Sequence, residues 1–164
     1  MYLIDGHNLI GQGLIPGISL DQEDDEARLV MWLRARQSNL RQKITVIFDG
    51  GIPGGTSQSL SGGGVTAIFA AQRRSNADKI ILARVREAMP AANLTVVTND
   101  GVLRQAVGSL GAQVMRGDEF VRRLQQPARR RTVGSASPKI EPKLSKREVD
   151  EWMQMFGAGD DERD

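Results

Sequence analysis

The chain has 164 residues, 40% of them hydrophobic, with a formal net charge of +2, one histidine and no cysteine. That length suits one domain with a tail, and the apolar content is enough for a core, which argues against a wholly disordered chain. Without cysteine there are no disulfides, thiolate zinc sites or cysteine nucleophiles, and His7 alone cannot make a multi-histidine metal site. Any metal would be held by oxygen ligands, which points to Mg²⁺ or Mn²⁺. No apolar stretch approaches the roughly 20 residues of a membrane span. The N-terminus reads as a strand without a basic leader region, so the expected setting is the cytoplasm.

The first element is a strand, Tyr2–Ile4, which stops at Asp5-Gly6. A helical pattern follows near Asp21–Leu40, then a second strand, Ile44–Phe48, which again stops at an aspartate and glycine, Asp49-Gly50. The stretch "GGIPGGTSQSLSGGG" has glycines but neither the lysine nor the following helix of a nucleotide cradle, and reads as a flexible loop. Val65–Phe69 is the third strand, and Asn76–Met89 is amphipathic, with Ser75 as its expected N-cap and Asp78 in its first turn. Strand Leu94–Thr98 leads to Asp100 and a helix over Gly101–Leu110, with Thr98 or Asn99 as the expected cap. Strand Gln113–Met115 and helix Glu119–Gln125 complete the series, with Asp118 as a plain N-cap. The β-branched content and short length of the apolar runs favour strand over helix. Strand–helix alternation with short loops predicts an α/β fold whose mostly parallel central sheet is covered on both faces.

Residues 1–125 form the expected domain, with 14 Lys/Arg against 12 Asp/Glu. Residues 126–144 hold three of the six prolines and no apolar periodicity, and read as a linker. Between 127 and 147 seven basic residues, including Arg129, Arg130 and Arg131, face Glu141 alone. A basic segment of this kind meets phosphate backbones or merely balances the acidic end. Residues 145–157 carry helix signals: Ser145 and Glu148 as a capping box, and Val149, Trp152, Met153 and Phe156 on one face. A short helix is marginal alone, so this stripe is expected to dock, on its own domain, on a second copy as a homodimer, or on another partner. Residues 158–164 read as a frayed acidic end.

A parallel sheet places ligands at the carboxyl ends of its strands. Asp5, Asp49 and Asp100 fall at such ends, and helix N-termini, with Asp78, face the same rim. Each acid alone has an ordinary explanation as a turn or cap residue. Together, four carboxylates on one rim repel one another unless a cation sits among them. A divalent ion held by such a cage can polarise a phosphoryl oxygen and activate water. Asn8 lies close enough to Asp5 to orient a water or a phosphate. Arg73 and Arg74, just before the Asp78 helix, are candidate phosphate contacts or a solvated pair. His7 reads as structural or exposed, with no acid–base role.

The ordered set "YLIDGHNLIG", "VIFDGG", "ADKII" and "VVTND" resembles the NYN domain, specifically the YacP-like branch of the PIN-like nucleases, over roughly residues 1–125. The resemblance implies a three-layer α/β/α PIN-like fold and a metal-dependent ribonuclease. It also implies kinship with a bacterial ribosome-associated mRNA endonuclease. It makes Asp5, Asp49, Asp78 and Asp100 the catalytic acids and metal ligands, with Asn8, Thr98 and Asn99 as supporting polar groups. Many PIN-like relatives carry another acid shortly after the fourth motif, whereas this chain continues Gly101-Val102-Leu103. The expected function is a metal-dependent endoribonuclease acting on RNA, in particular mRNA on or near the ribosome. The rivals are a non-catalytic RNA- or ribosome-binding module with the same fold and a small-molecule phosphohydrolase.

Overall fold

The computed structural model describes residues 1–51, 53–71, 76–88 and 90–126. These fall in the first of two units into which the chain divides, Met1–Arg129. The expected linker beyond residue 126 and the expected helix over 145–157 lie outside the described residues, as do Ser75, Arg73, Arg74, Arg129, Arg130 and Arg131.

The elements in order are β1 (Tyr2–Asp5), α1 (Gly6–Gly11), α2 (Asp25–Arg36), a 3₁₀ turn (Gln37–Asn39), β2 (Ile44–Asp49), β3 (Gly55–Thr56) and β4 (Val65–Ala70). There follow α3 (Asn76–Glu87), a second 3₁₀ turn (Ala91–Asn93), β5 (Thr95–Val97), α4 (Gly101–Ser109), β6 (Gln113–Met115) and α5 (Gly117–Gln125). The strands form one sheet in the order β3-β4-β2-β1-β5-β6. Every pairing is parallel except β3 with β4. The α/β class and the mostly parallel sheet read from the sequence are what the structure has.

Alternation along the strands builds two cores. Tyr2, Ile4, Val46 and Phe48 pack with Leu9 and Ile10 of α1, Leu29 and Leu33 of α2, and Phe120 and Leu124 of α5. Leu3, Ile47, Ile68 and Val96 pack on the other face with Ala77 and Ile81 of α3 and Leu103 and Val107 of α4. Successive strand side chains point to opposite faces. Asp5 and Asp49 therefore continue the rows of Leu3 and Ile47 and lie on the α3–α4 side. Among the described residues, no helix is long and apolar enough to cross a membrane.

Three local expectations change. The glycine-rich loop after β2 contains β3, antiparallel to β4 at the sheet edge. The N-cap of α5 is Arg116, not Asp118; Asp118 sits in the first turn and pairs with Arg116 and Arg122. The cap of α4 is Asp100 itself rather than Thr98 or Asn99, because its carboxylate reaches the Leu103 N–H.

Candidate metal centre

β1 lies between β2 and β5, so three strand ends meet where β1 stops. Asp5 ends β1 and caps α1: its Oδ1 accepts the Asn8 N–H at 3.3 Å. Its Oδ2 accepts the Thr98 hydroxyl at 3.5 Å. Asp5 is only 7% exposed. Burial is the main reason its carboxyl is pushed up to about 6, followed among the raising effects by the charges of Asp78 and Asp49; the Asn8 N–H and His7 pull the other way.

Asp49 ends β2, and its Oδ1 accepts the Ala77 N–H at 3.0 Å, which ties this strand end to the start of α3. Asp78 follows in the first turn of α3, half-buried. Its carboxyl is also raised, by burial first and then by the charges of Asp100 and Asp49. Asp100 is exposed; its Oδ1 accepts the Leu103 N–H at 2.8 Å and its own N–H donates to Thr98 Oγ1 at 3.1 Å. Thus Asp78 and Asp49 act on Asp5, while Asp100 and Asp49 act on Asp78. The four acids share one rim, and none is in an ion pair with a basic side chain among the described residues.

Amide side chains bridge the segments around this rim. Asn8 Oδ1 accepts the Asn99 N–H at 2.9 Å and the Gln12 Nε2–H at 3.0 Å. Asn99 Oδ1 in turn accepts the Gly117 N–H at 3.0 Å. Asn8, Asn99 and buried Thr98 therefore join α1, the segment before α4 and the start of α5. The sequence marks Gln12 only by its position one helical turn beyond Asn8.

A second group lies across the sheet rim. Ligating atoms of His7, Asp25 and Glu26 lie within 4.8 Å of one another, so these side chains too could hold an ion. Asp25 is 5% exposed, and burial, then Glu26, push its carboxyl up to about 6. His7 is not idle: Nδ1 accepts the Asp49 N–H and Nε2 meets Glu26 Oε1, each at 3.3 Å. Nothing in "DQEDDEAR" separates Asp25 and Glu26 from acids that merely favour a helix N-terminus. No three of the four aspartates bring an oxygen each within 4.8 Å in the described structure. An ion there would take one or two of these carboxylates directly and complete its shell with water.

A family profile described as the YacP-like NYN domain matches residues 2–157. The chain belongs to the YacP-like NYN domain family. The match runs past residue 125, where the motifs read from the sequence end, and takes in the stretch around Trp152. Membership in the YacP-like NYN family implies a nuclease-type, RNA-related function. The chain is similar to the crystal structure of Rae1 (YacP) from Bacillus subtilis: 22% identity, TM-score 0.62, covering 97% of this chain and 84% of that one. A mutant of the same Bacillus protein matches with 23% identity and TM-score 0.58, over 75% of this chain and 73% of that chain. At these identities the likeness shows the shared fold. No curated protein matches the sequence.

Proposed function

We propose that this YacP-like NYN protein is a metal-dependent endoribonuclease whose site is Asp5, Asp49, Asp78 and Asp100. One observation supports this most: the charges of Asp49, Asp78 and Asp100, from three distant segments, help burial to raise the carboxyls of Asp5 and Asp78, and none of the four has a basic partner among the described residues. A hard divalent cation, Mg²⁺ or Mn²⁺, fits that oxygen donor set, and when bound it would supply charge neutralisation at a phosphodiester and an acidified water. The chain's own groups supply the positioning. Thr98 and the Asn8 N–H fix both oxygens of Asp5, while the Ala77 and Leu103 N–H groups orient Asp49 and Asp100. Asp100, exposed, is the acid that faces incoming RNA first. The basic residues after 126 and the Arg73–Arg74 pair would hold the phosphate backbone. Messenger RNA on or near the ribosome, in the cytoplasm, is the substrate setting implied by the resemblance.

The test is cleavage of a labelled RNA by the full chain with Mg²⁺ or Mn²⁺. Excess EDTA should abolish cutting, and Asp5→Asn and Asp100→Asn should each abolish it while leaving the folded circular-dichroism spectrum intact. Equal cutting in EDTA would overturn the reading. The lack of another acid directly after Asp100, where the chain continues Gly101-Val102-Leu103, favours one alternative, a non-catalytic RNA-binding module. That module would bind RNA undiminished in both aspartate variants and take up neither metal.

A further inference from the structure

His7 lies two residues after Asp5, in α1, with its ring edge-on to Phe48 and the centroids 5.5 Å apart. Phe48 immediately precedes Asp49. β1 and β2 pair only as far as Asp5 opposite Ile47, because β1 then turns into α1. The Asp49 N–H lies beyond that last pair and has no β1 strand left to bond. The His7 ring supplies the acceptor: Nδ1 takes the Asp49 N–H at 3.3 Å.

That bond decides where the imidazole proton is. A ring nitrogen that accepts carries no hydrogen, so the neutral ring holds its proton on Nε2. Nε2 faces Glu26 Oε1 at 3.3 Å and donates to it. A one-way chain results: the Asp49 peptide donates to His7, and His7 donates to the carboxylate in the first turn of α2. Bonds in such a chain polarise one another. Metal ligation through Nε2 would require the proton on Nδ1, where it would face the Asp49 N–H donor to donor. The two roles exclude each other, and the hydrogen-bonded one matches the geometry.

The Asp49 peptide needs such a tether. Gly50 and Gly51 follow it with φ of 80° and 85°, a conformation that favours glycine, and neither has a side chain to anchor the exit from β2. We propose that His7 is a positioning residue that holds the Asp49 end of β2 against Asp5, with Glu26 orienting the ring. The proposal rests on the reading of the four aspartates as a cation site.

Three substitutions in the full chain separate its parts. His7→Asn keeps an acceptor at the δ position for the Asp49 N–H. His7→Gln offers only an ε amide, toward Glu26. His7→Phe keeps the ring on Phe48 and removes both nitrogens. His7→Gln and His7→Phe should weaken Mn²⁺ binding, read by electron paramagnetic resonance, and slow RNA cleavage by roughly 10- to 100-fold. His7→Asn should rescue most of the loss. Wild-type affinity and cleavage in His7→Phe would overturn the proposal, as would equal loss in all three variants tracking a common fall in melting temperature. Because His7 is the only histidine in the sequence, long-range ¹H–¹⁵N correlation reads its tautomer directly. The Nε2–H form is expected, and an Nδ1–H form would overturn the assignment. If the wild-type chain binds no Mn²⁺, the cation reading falls by itself. The His7 role is then judged by the Asp49 amide shift, which should move in His7→Gln and His7→Phe but not in His7→Asn.

Discussion

Asp5 carries opposing demands: burial favours its neutral form, and a cation site needs the charged one. Its folded proton affinity, raised from 3.8 to about 6, means that the native state binds this proton more tightly than the unfolded chain does. The contribution is therefore fully present below the unfolded value and is lost as pH rises through the folded one. The loss amounts to about 3 kcal/mol by neutral pH. Asp5→Asn stays neutral throughout and can still cap α1. Metal-free Asp5→Asn protein should melt higher than wild type near neutral pH, and the advantage should vanish below about pH 4. Thermal melts in EDTA across that range check this, and a lower melting temperature at neutral pH would count against it. At this scale Asp5 and Asp49 stand out in the sequence because apolar runs that stop on a carboxylate are costly without a reason, whereas Asp78 reads as an ordinary first-turn acid. His7, Asp25 and Glu26 do not stand out, because their pairing spans the loop between α1 and α2 and leaves no spacing to read.

At the scale of elements, α1 carries no signal in the sequence, and its seat explains why. Its six residues are too few for a helical period and are bounded by glycines, so its place depends on burying Leu9 and Ile10. Gly6 makes that seat possible: a Cβ there would collide with the Phe48 ring and lie 3.1 Å from the Ile47 carbonyl oxygen. Gly6→Ala should destabilise the protein by roughly 1–3 kcal/mol or more, through overpacking. Gly108, exposed in α4 and no closer than 4.0 Å to Val114, has room. Gly108→Ala should stabilise by about 0.5–1 kcal/mol, since a helical glycine wastes backbone entropy. Denaturant unfolding of both variants tests the pair, and a destabilised Gly108→Ala would contradict the account. The five main strands were legible to within a residue or so at their ends, being short β-branched runs. β3 was not: two exposed residues led by glycine carry no strand signal and pair only because β4 offers an open edge.

For the molecule as a whole, the charge is arranged in blocks rather than in net excess. If residues 129–131 contact RNA as proposed, replacing Arg129, Arg130 and Arg131 with glutamine should weaken binding regardless of sequence. It should also reduce the slope of log affinity against log salt by about 2, for a single strand. Filter binding over a salt series measures both. An unchanged slope would assign these residues to neutralising the acidic end, the other reading their composition allows. The fold class was legible because alternation of strand and helix admits few architectures. The strand order was not, since apolar runs show burial but not neighbours.

That order has a consequence for synthesis. β1 is made before the other strands of the sheet, yet it finishes in the middle, bonded to β2 on one side and β5 on the other. Asp100 leaves the ribosome 95 residues after Asp5. At ordinary translation speeds the nascent chain holds an unassembled rim for on the order of 5–20 s. If the four aspartates are the cation site proposed above, a nascent copy thus has no complete site until most of the described fold has been made.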